Sequence, residues 1–191
     1  MISADEALAR LKHGNADFIT IRTHERDLSP QRVEELYAYG QSPFAVVVTC
    51  SDSRTVPEHM FMMGLGDLFV VRVAGNVVGP AELASVVYAC EHLGVKLALV
   101  LGHTGCGAIE ASVQAADAGQ AGEGVMGALT EPICAAIGAE RDPYRASELN
   151  VRAGMAALEA CPELVRLSDA AGLRIAGAIY HTHSGKVDFL E

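Results

Sequence analysis

The sequence predicts an α/β fold: a four-stranded parallel sheet with an added antiparallel edge strand and helices on both faces. The first observation is three apolar runs without polar alternation, at 46–48, 68–73 and 97–101. Such runs are typical of parallel strands that are covered on both faces. The second is a segment of helical period at 80–93, between the last two runs, which predicts a crossover between parallel strands. The third is a composition that is 50% hydrophobic and 20% charged, as in a globular interior.

Two helices are predicted before the first strand. Residues 3–18 place apolar side chains at helical spacing, with acidic residues near the start. Residues 30–39 follow Ser29, a good N-cap, and begin with Pro30, while Gly40 ends the helix. The apolar face of the first helix has no obvious partner within one subunit, so we expect a second copy of the chain to cover it.

The second half of the chain predicts a loop, two helices and two strands. The glycine-rich stretch 119–127 lies between helical segments, and we interpret it as a mobile loop. Residues 145–171 predict two helices separated near Pro162. Residues 174–181 predict the fourth strand, and a turn then leads into a short antiparallel strand at 187–190.

Length and charge limit the class of protein. A chain of 191 residues fits one domain, 1–191, in which we include an N-terminal helical arm of about residues 1–40. The net charge of -10 argues against nucleic acid or an anionic membrane as partner. The start has charges where a signal peptide would be apolar, and no run is long enough to span a membrane, so we expect a cytoplasmic protein. Five irregularly spaced cysteines favour reduced thiols.

Two short polar segments follow the first and third apolar runs. Cys50 follows the first run, and His103 and Cys106 follow the third. Reactive groups collect beyond the carboxyl ends of parallel strands, so these side chains are expected at one sheet edge. Two thiolates and an imidazole suit zinc, with a fourth position left to Asp52 or water. The alternative, two small buried cysteines beside helix caps, is weakened because both segments carry polar partners.

These motifs resemble those of the β-class carbonic anhydrases. The segments CSDSR at 50–54 and HTGCG at 103–107 match the two family signatures. Agreement extends through GDLFVVRVAGN at 66–76, EHLGV at 91–95 and the closing GAIY at 177–180. The similarity covers nearly the whole chain and is weakest between residues 119 and 147.

The resemblance implies a zinc enzyme. Zinc-bound hydroxide would reversibly hydrate carbon dioxide to bicarbonate and a proton. Cys50, His103 and Cys106 would bind zinc, and Asp52 and Arg54 would form a catalytic dyad beside it. Asp52 could also swing to the metal in a closed state. The family is oligomeric, which implies a homodimer or homotetramer.

The resemblance also suggests a substrate pocket. Aligned from the first motif, Gln41, Phe69 and Tyr88 fall where plant-type members place pocket residues, partly across a subunit boundary. Gln41 would donate a hydrogen bond to bicarbonate. The alternative for Phe69 and Tyr88 is ordinary core packing, because both lie on apolar faces of their elements.

Two other functions stay open from the sequence. A carbonyl sulfide or carbon disulfide hydrolase would use the same zinc site, with a different pocket. A non-catalytic zinc-stabilised or bicarbonate-sensing module would have a closed site with four ligands.

Five further residues carry chemistry but receive no functional role. We interpret His181 and His183, two apart on a predicted strand, as a solvated edge and not as a second metal site. The remaining cysteines lie within helical apolar patterns and are interpreted as structural: Cys90, Cys134 and Cys161.

Overall fold

The computed structural model describes residues 1–20 and 26–190, which form helices packed around one sheet. A 3₁₀ turn, Ala74–Asn76, follows the second strand. The elements are, in chain order, α1 (Ala4–Ile19), α2 (Pro30–Tyr39), β1 (Ala45–Thr49), α3 (Pro57–Met60), β2 (Leu68–Arg72), α4 (Pro80–His92), β3 (Leu97–His103), α5 (Gly107–Asp117), α6 (Gly127–Ile137), α7 (Pro143–Glu159), α8 (Pro162–Ala171), β4 (Arg174–Tyr180) and β5 (Val187–Leu190).

The sheet has five strands in the order β2-β1-β3-β4-β5. The first four run parallel and β5 is antiparallel to β4, which confirms the predicted fold class. In the register, Thr49 lies opposite both Arg72 and Leu101, and His103 lies opposite Tyr180. The carboxyl ends of β1, β3 and β4 therefore meet at one edge of the sheet, where the candidate metal ligands also lie.

Helices cover both faces of the sheet, as predicted. Side chains that alternate along β1 and β3 point to opposite faces, so one strand supplies both cores. Val47 and Leu99 lie in a cluster that includes apolar residues of α1. Val48 and Val100 lie in a second cluster that includes residues of α4, α7 and α8. Burial on both faces explains why β1 and β3 lack polar alternation.

The expectation that α1 has no partner within its own subunit is wrong. Ala7 and Leu11 of α1 are fully buried, and with Leu8 they pack in the same cluster as the sheet. Because one chain already covers this face, α1 gives no reason for dimerisation. The arm predicted over residues 1–40 contains two unlike helices, since no residue of α2 is buried. Residues 21–25 of the arm lie outside the described residues.

Several element boundaries differ from the prediction or sharpen it. β3 extends to His103, so this residue ends the strand instead of following it. The two helices predicted over 145–171 are α7 and α8, divided by Cys161 before Pro162. Residues 119–127, predicted as a loop, join α5 to α6, and Val125 among them is almost completely exposed. Over the described ranges 1–20 and 26–190, no helix has the length and apolar character needed to cross a membrane.

Candidate metal centre

Three side chains from two chain segments meet at the carboxyl edge of the sheet. Cys50 follows β1, His103 ends β3, and Cys106 is the N-cap of α5. Their candidate ligand atoms lie within 4.8 Å of one another, and all three residues are buried. Sulfur, nitrogen and sulfur at this separation can hold one ion after small adjustments. The sequence predicted this set, and the fold brings it together.

The ring of His103 has one nitrogen bonded and one without a partner. Nδ1 lies 3.1 Å from the carbonyl oxygen of Thr104. A carbonyl can only accept, so Nδ1 carries the proton and Nε2 presents its lone pair. Within the described residues, Nε2 is one of two buried side-chain nitrogens without a hydrogen-bond partner, the other being Nδ2 of Asn76. A metal ion would satisfy Nε2. A hydrogen bond from the other ring nitrogen to a carbonyl, as Nδ1 makes here, is the usual way to orient a histidine ligand.

Cys50 lies in an environment that favours a thiolate. Its Sγ accepts hydrogen bonds from the backbone N–H groups of Asp52, at 3.4 Å, and Gly75, at 3.3 Å. A hydrogen bond from the Cys106 thiol, together with these two backbone donors, lowers the pKa of the Cys50 thiol. Sharing a proton with Cys50 raises the pKa of Cys106 when no cation is bound. Zinc favours deprotonated sulfur, so the donors to Cys50 prepare one ligand for it.

Gly75 reaches Cys50 because its backbone adopts a positive φ of 69°. Glycine tolerates this conformation at no steric cost. A Cβ at this position would lie 2.8 Å from Cδ1 of Ile133, so the close packing also excludes a side chain. Asn150 of α7 donates to the Gly75 carbonyl at 2.7 Å and holds the turn in place.

Asp52 and Arg54 form a two-pronged ion pair beside the metal ligands. Nε of Arg54 donates to Oδ1 of Asp52 at 2.9 Å, and Nη2 donates to Oδ2 at 2.7 Å. Hydrogen bonding from Arg54 holds the pKa of the Asp52 carboxyl far below its usual range. Nη2 of Arg54 also donates to the Gly105 carbonyl at 3.0 Å, which joins the two ligand segments. The carboxylate of Asp52 thus faces Arg54.

Two residues that the sequence analysis did not select hold the loop after β1. Arg72 donates from Nε to the Cys50 carbonyl at 3.2 Å and from Nη2 to the Asp52 carbonyl at 2.7 Å. The Thr55 hydroxyl donates to the Cys50 carbonyl at 2.9 Å. Arg72 lies within the third motif, 66–76, so its place in that block was the available signal. Nothing in the sequence distinguished Thr55.

The three proposed pocket residues do not surround the metal ligands of their own chain. Phe69 lies opposite Val46 in the register, about 13 Å along the strand direction from the level of Cys50. Tyr88 of α4 lies next to Phe69, with ring centroids 6.1 Å apart, and is 47% exposed. Gln41 is exposed just before β1. A pocket role for these residues stays a prediction that requires a second subunit.

The remaining histidines and cysteines lie outside the metal centre. The structure places His181 and His183 in the turn after β4 and not on a strand. His183 is exposed, but His181 is only partly exposed and is hydrogen-bonded to Asp188 at 2.8 Å, so the interpretation of His181 as a solvated edge is wrong. Cys90 and Cys161 are buried and Cys134 is half-buried, and all are free thiols. Burial raises the pKa of Cys90 to about 12.

Comparison with known proteins identifies the family. A family model described as carbonic anhydrase matches residues 45–187. A carbonic anhydrase of Mycolicibacterium smegmatis is 37% identical over 186 residues, which cover 93% of this chain and 89% of that protein. One of two tetrameric β-carbonic anhydrases of Sordaria macrospora aligns with a TM-score of 0.75 and 27% identity, covering 85% of this chain and 87% of that chain.

A carbon disulfide hydrolase shares the fold at a TM-score of 0.55 and 19% identity, over 83% of this chain and 86% of that chain. This identity is too low to carry information on substrate. By contrast, the family model spans more than half of this chain, including all three candidate ligands. The chain therefore belongs to the β-class carbonic anhydrase family.

Proposed function

We propose that this protein is a zinc enzyme that reversibly hydrates carbon dioxide to bicarbonate and a proton. The observation that carries the proposal is the buried His103, whose Nε2 lacks a hydrogen-bond partner and whose ring offers a ligand nitrogen within 4.8 Å of two cysteine sulfurs. A buried nitrogen without a partner is costly unless a ligand satisfies it. Membership of the carbonic anhydrase family supports the reaction.

Cys50, His103 and Cys106 would hold the zinc ion. When bound at such a site, zinc lowers the pKa of a water ligand to about 7 and so supplies a nucleophile near neutral pH. The chain contributes the geometry. Two thiolates and one neutral imidazole leave a fourth position, which is the feature that separates catalytic zinc sites from structural ones.

Asp52 would accept a hydrogen bond from the reacting water and orient it. Its carboxylate stays ionised because Arg54 lowers its pKa, so it acts as an acceptor throughout the neutral range. Arg54 also holds the carboxylate in a bidentate pair, which restrains Asp52 from becoming a fourth ligand. The dyad thus argues against a purely structural zinc module, which needs neither an acceptor nor an arginine beside its ligands.

The test is carbon dioxide hydration measured by stopped flow, with metal analysis on the same sample. We expect about one zinc per chain and hydration activity in the native protein. Cys106→Ser should lose both, whereas Cys134→Ser, at a half-buried cysteine outside the centre, should retain both. Hydration without zinc, or zinc without hydration, would contradict the proposal. Sulfide release from carbonyl sulfide or carbon disulfide at a higher rate than hydration would favour the hydrolase alternative.

We also propose that the working form is a homodimer or homotetramer in the cytoplasm. The exposed face of α2 supports assembly, because Val33, Tyr37 and Tyr39 are more than half exposed. The tetrameric relatives from Sordaria macrospora support it further. Gln41, Phe69 and Tyr88 would then line the substrate pocket across the subunit boundary. Sedimentation of the zinc-loaded protein tests the assembly, and a monodisperse monomer would contradict it.

A further inference from the structure

A second concave site lies at the opposite edge of the sheet from the metal centre. It is a cavity of about 440 Å³ between α1, residues 26–27, the start of α2 and the loop that leads into β2. Its lining includes Arg10, Arg26, Arg32 and His13 but none of the candidate zinc ligands. The loop enters β2 at its amino end, whereas Cys50 and His103 lie at carboxyl ends. The cavity is therefore a separate site.

Three arginines around one cavity are unusual in this chain. The protein has 24 acidic against 14 Lys and Arg residues, so its overall charge repels anions. Two aspartates, Asp27 and Asp67, also line the cavity. Each carboxylate caps local backbone: Asp27 accepts from the N–H and hydroxyl of Ser29, and Asp67 accepts from the N–H of Gly64 at 2.8 Å. The arginines outnumber these carboxylates, so the lining has a net positive charge.

The walls of the cavity are held by hydrogen bonds between its segments. The Leu65 N–H donates to the Asp27 carbonyl at 3.2 Å, which joins the loop before β2 to the segment before α2. Nε of Arg32 donates to the Leu65 carbonyl at 3.2 Å and joins the same loop to α2. A cavity with braced walls loses little conformational freedom when a ligand enters, which favours binding.

Two of the three guanidinium groups have no anionic partner among the residues that the structure describes. Arg10 stacks over the ring of Phe44, with Cζ 4.3 Å from the centroid, and this contact positions its charge. Across residues 1–20 and 26–190, Arg10 and Arg26 make no side-chain hydrogen bond or ion pair. Arg32, by contrast, also pairs with Glu35 at 3.3 Å. The cavity therefore offers two planar forks of N–H donors that no group within residues 1–20 and 26–190 satisfies.

We propose that this cavity binds a small multivalent oxyanion through Arg10 and Arg26. Each guanidinium fork matches the two oxygens of a carboxylate or phosphate group. An anion with at least two charges can engage both forks, whereas a monovalent anion neutralises only one. The nearby Asp27 and Asp67 repel weakly bound anions, so the site selects ligands whose charge outweighs that repulsion. A volume of about 440 Å³ holds a small metabolite as well as an inorganic ion.

The test is titration calorimetry of the zinc-loaded protein with inorganic phosphate, citrate and acetate. Phosphate and citrate are both multivalent oxyanions, and comparing them shows whether the site prefers a phosphate group or carboxylate groups. Acetate is the monovalent control. We expect saturable binding of phosphate, citrate or both, and at least tenfold weaker binding of acetate. Added sodium chloride should weaken the interaction, as expected for exposed charges. Equal affinity for acetate, or no saturable binding of either multivalent anion, would overturn the proposal.

Variants distinguish anion binding in this cavity from anion binding at the metal centre. Arg26→Gln and Arg10→Gln should each weaken anion binding at least tenfold, while carbon dioxide hydration is unchanged. Arg166→Gln, which removes an exposed arginine that lies 3.7 Å from Glu91, is the matched control and should bind as the native protein does. Circular dichroism checks that each variant is folded. Anion binding that survives Arg26→Gln and Arg10→Gln but disappears in Cys106→Ser would place the anion on the metal and overturn the proposal.

Discussion

Two histidines at the ends of neighbouring strands show how different a candidate metal ligand and a structural histidine look. His103 ends β3 opposite Tyr180, and His181 follows Tyr180 directly. His103 is 1% exposed and its Nε2 has no partner. In His181 the same atom bonds to Asp188 at 2.8 Å, and the ring stacks on Tyr144. The comparison teaches that an unsatisfied buried nitrogen, not the presence of histidine at a strand end, identifies the metal site.

Two buried cysteines show the same contrast. Cys90 lies in an apolar cluster with Val86 and Leu158, and burial raises its pKa to about 12. Cys50 is equally buried but receives two backbone N–H donors and a hydrogen bond from Cys106, which lower its pKa. The thiol of Cys90 is thus inert, whereas the thiol of Cys50 is prepared for a cation.

The largest effect on zinc content and activity should come from replacing each of the two histidines by alanine in turn. His103→Ala removes one of three proposed zinc ligands, so zinc content should fall from about one per chain to near zero and hydration activity should be lost with it. His181→Ala should keep zinc and activity. Metal analysis by plasma mass spectrometry and stopped-flow hydration measure both. Zinc loss in His181→Ala with retention in His103→Ala would reverse the comparison.

Removing the carboxylate of Asp52 should give the next largest effect. Asp52→Ala leaves the three proposed ligands in place, so we expect full zinc content, but turnover should fall by roughly 10²–10⁴-fold because the proposed acceptor for the reacting water is gone. Asp117→Ala removes the aspartate of another Asp–Arg pair, 2.8 Å from Arg141 and at the opposite end of α5 from Cys106. This control should keep native turnover. Loss of zinc in Asp52→Ala would mean that Asp52 is itself a ligand.

A smaller effect is expected from removing the hydrogen bond that holds the turn at Gly75, whose N–H donates to Cys50. Asn150→Ala removes the donor to the Gly75 carbonyl and leaves that buried group unsatisfied. The free energy of unfolding should fall by about 1–3 kcal/mol. Denaturation in urea, with circular dichroism as readout, measures the change. Glu159→Ala, at an exposed position on the same helix, should be near neutral. A change no larger than in Glu159→Ala would show that the turn at Gly75 does not depend on Asn150.

The smallest effect should come from replacing Asp188, the hydrogen-bond partner of His181. Lys186, then His181, lowers the pKa of Asp188 below its ordinary value of 3.8. A lowered folded pKa means that ionised Asp188 stabilises the fold above that ordinary value, and that this stability is lost as pH falls through the folded pKa. Asp188→Asn should therefore cost about 0.5–1 kcal/mol at pH 7. Thermal unfolding should show the difference shrinking below pH 3.8. An unchanged difference in acid would exclude the ion pairs as its cause.

Most of the fold followed from local patterns. Continuous apolar runs identified β1 and β3 because strands buried on both faces cannot alternate with polar residues. The same kind of run identified β2, although this edge strand is mostly only partly buried. The turn at Gly185 and the short run after it identified the antiparallel strand β5. The burial of α1 could not be read in the same way, because an amphipathic helix shows only that its face is covered and not by which chain.

The sequence by itself determined the candidate ligand set, since the types and order of Cys50, His103 and Cys106 after two apolar runs do not depend on packing. Only the tertiary structure decided that His103 keeps Nε2 free, that Asp52 faces Arg54, and that Phe69 lies away from its own metal centre. The cavity with Arg10 and Arg26 likewise joins residues from separate segments. Local sequence sets which groups a segment carries, but distances between segments, and therefore hydrogen bonds and charge pairs, arise only when the strands and helices pack.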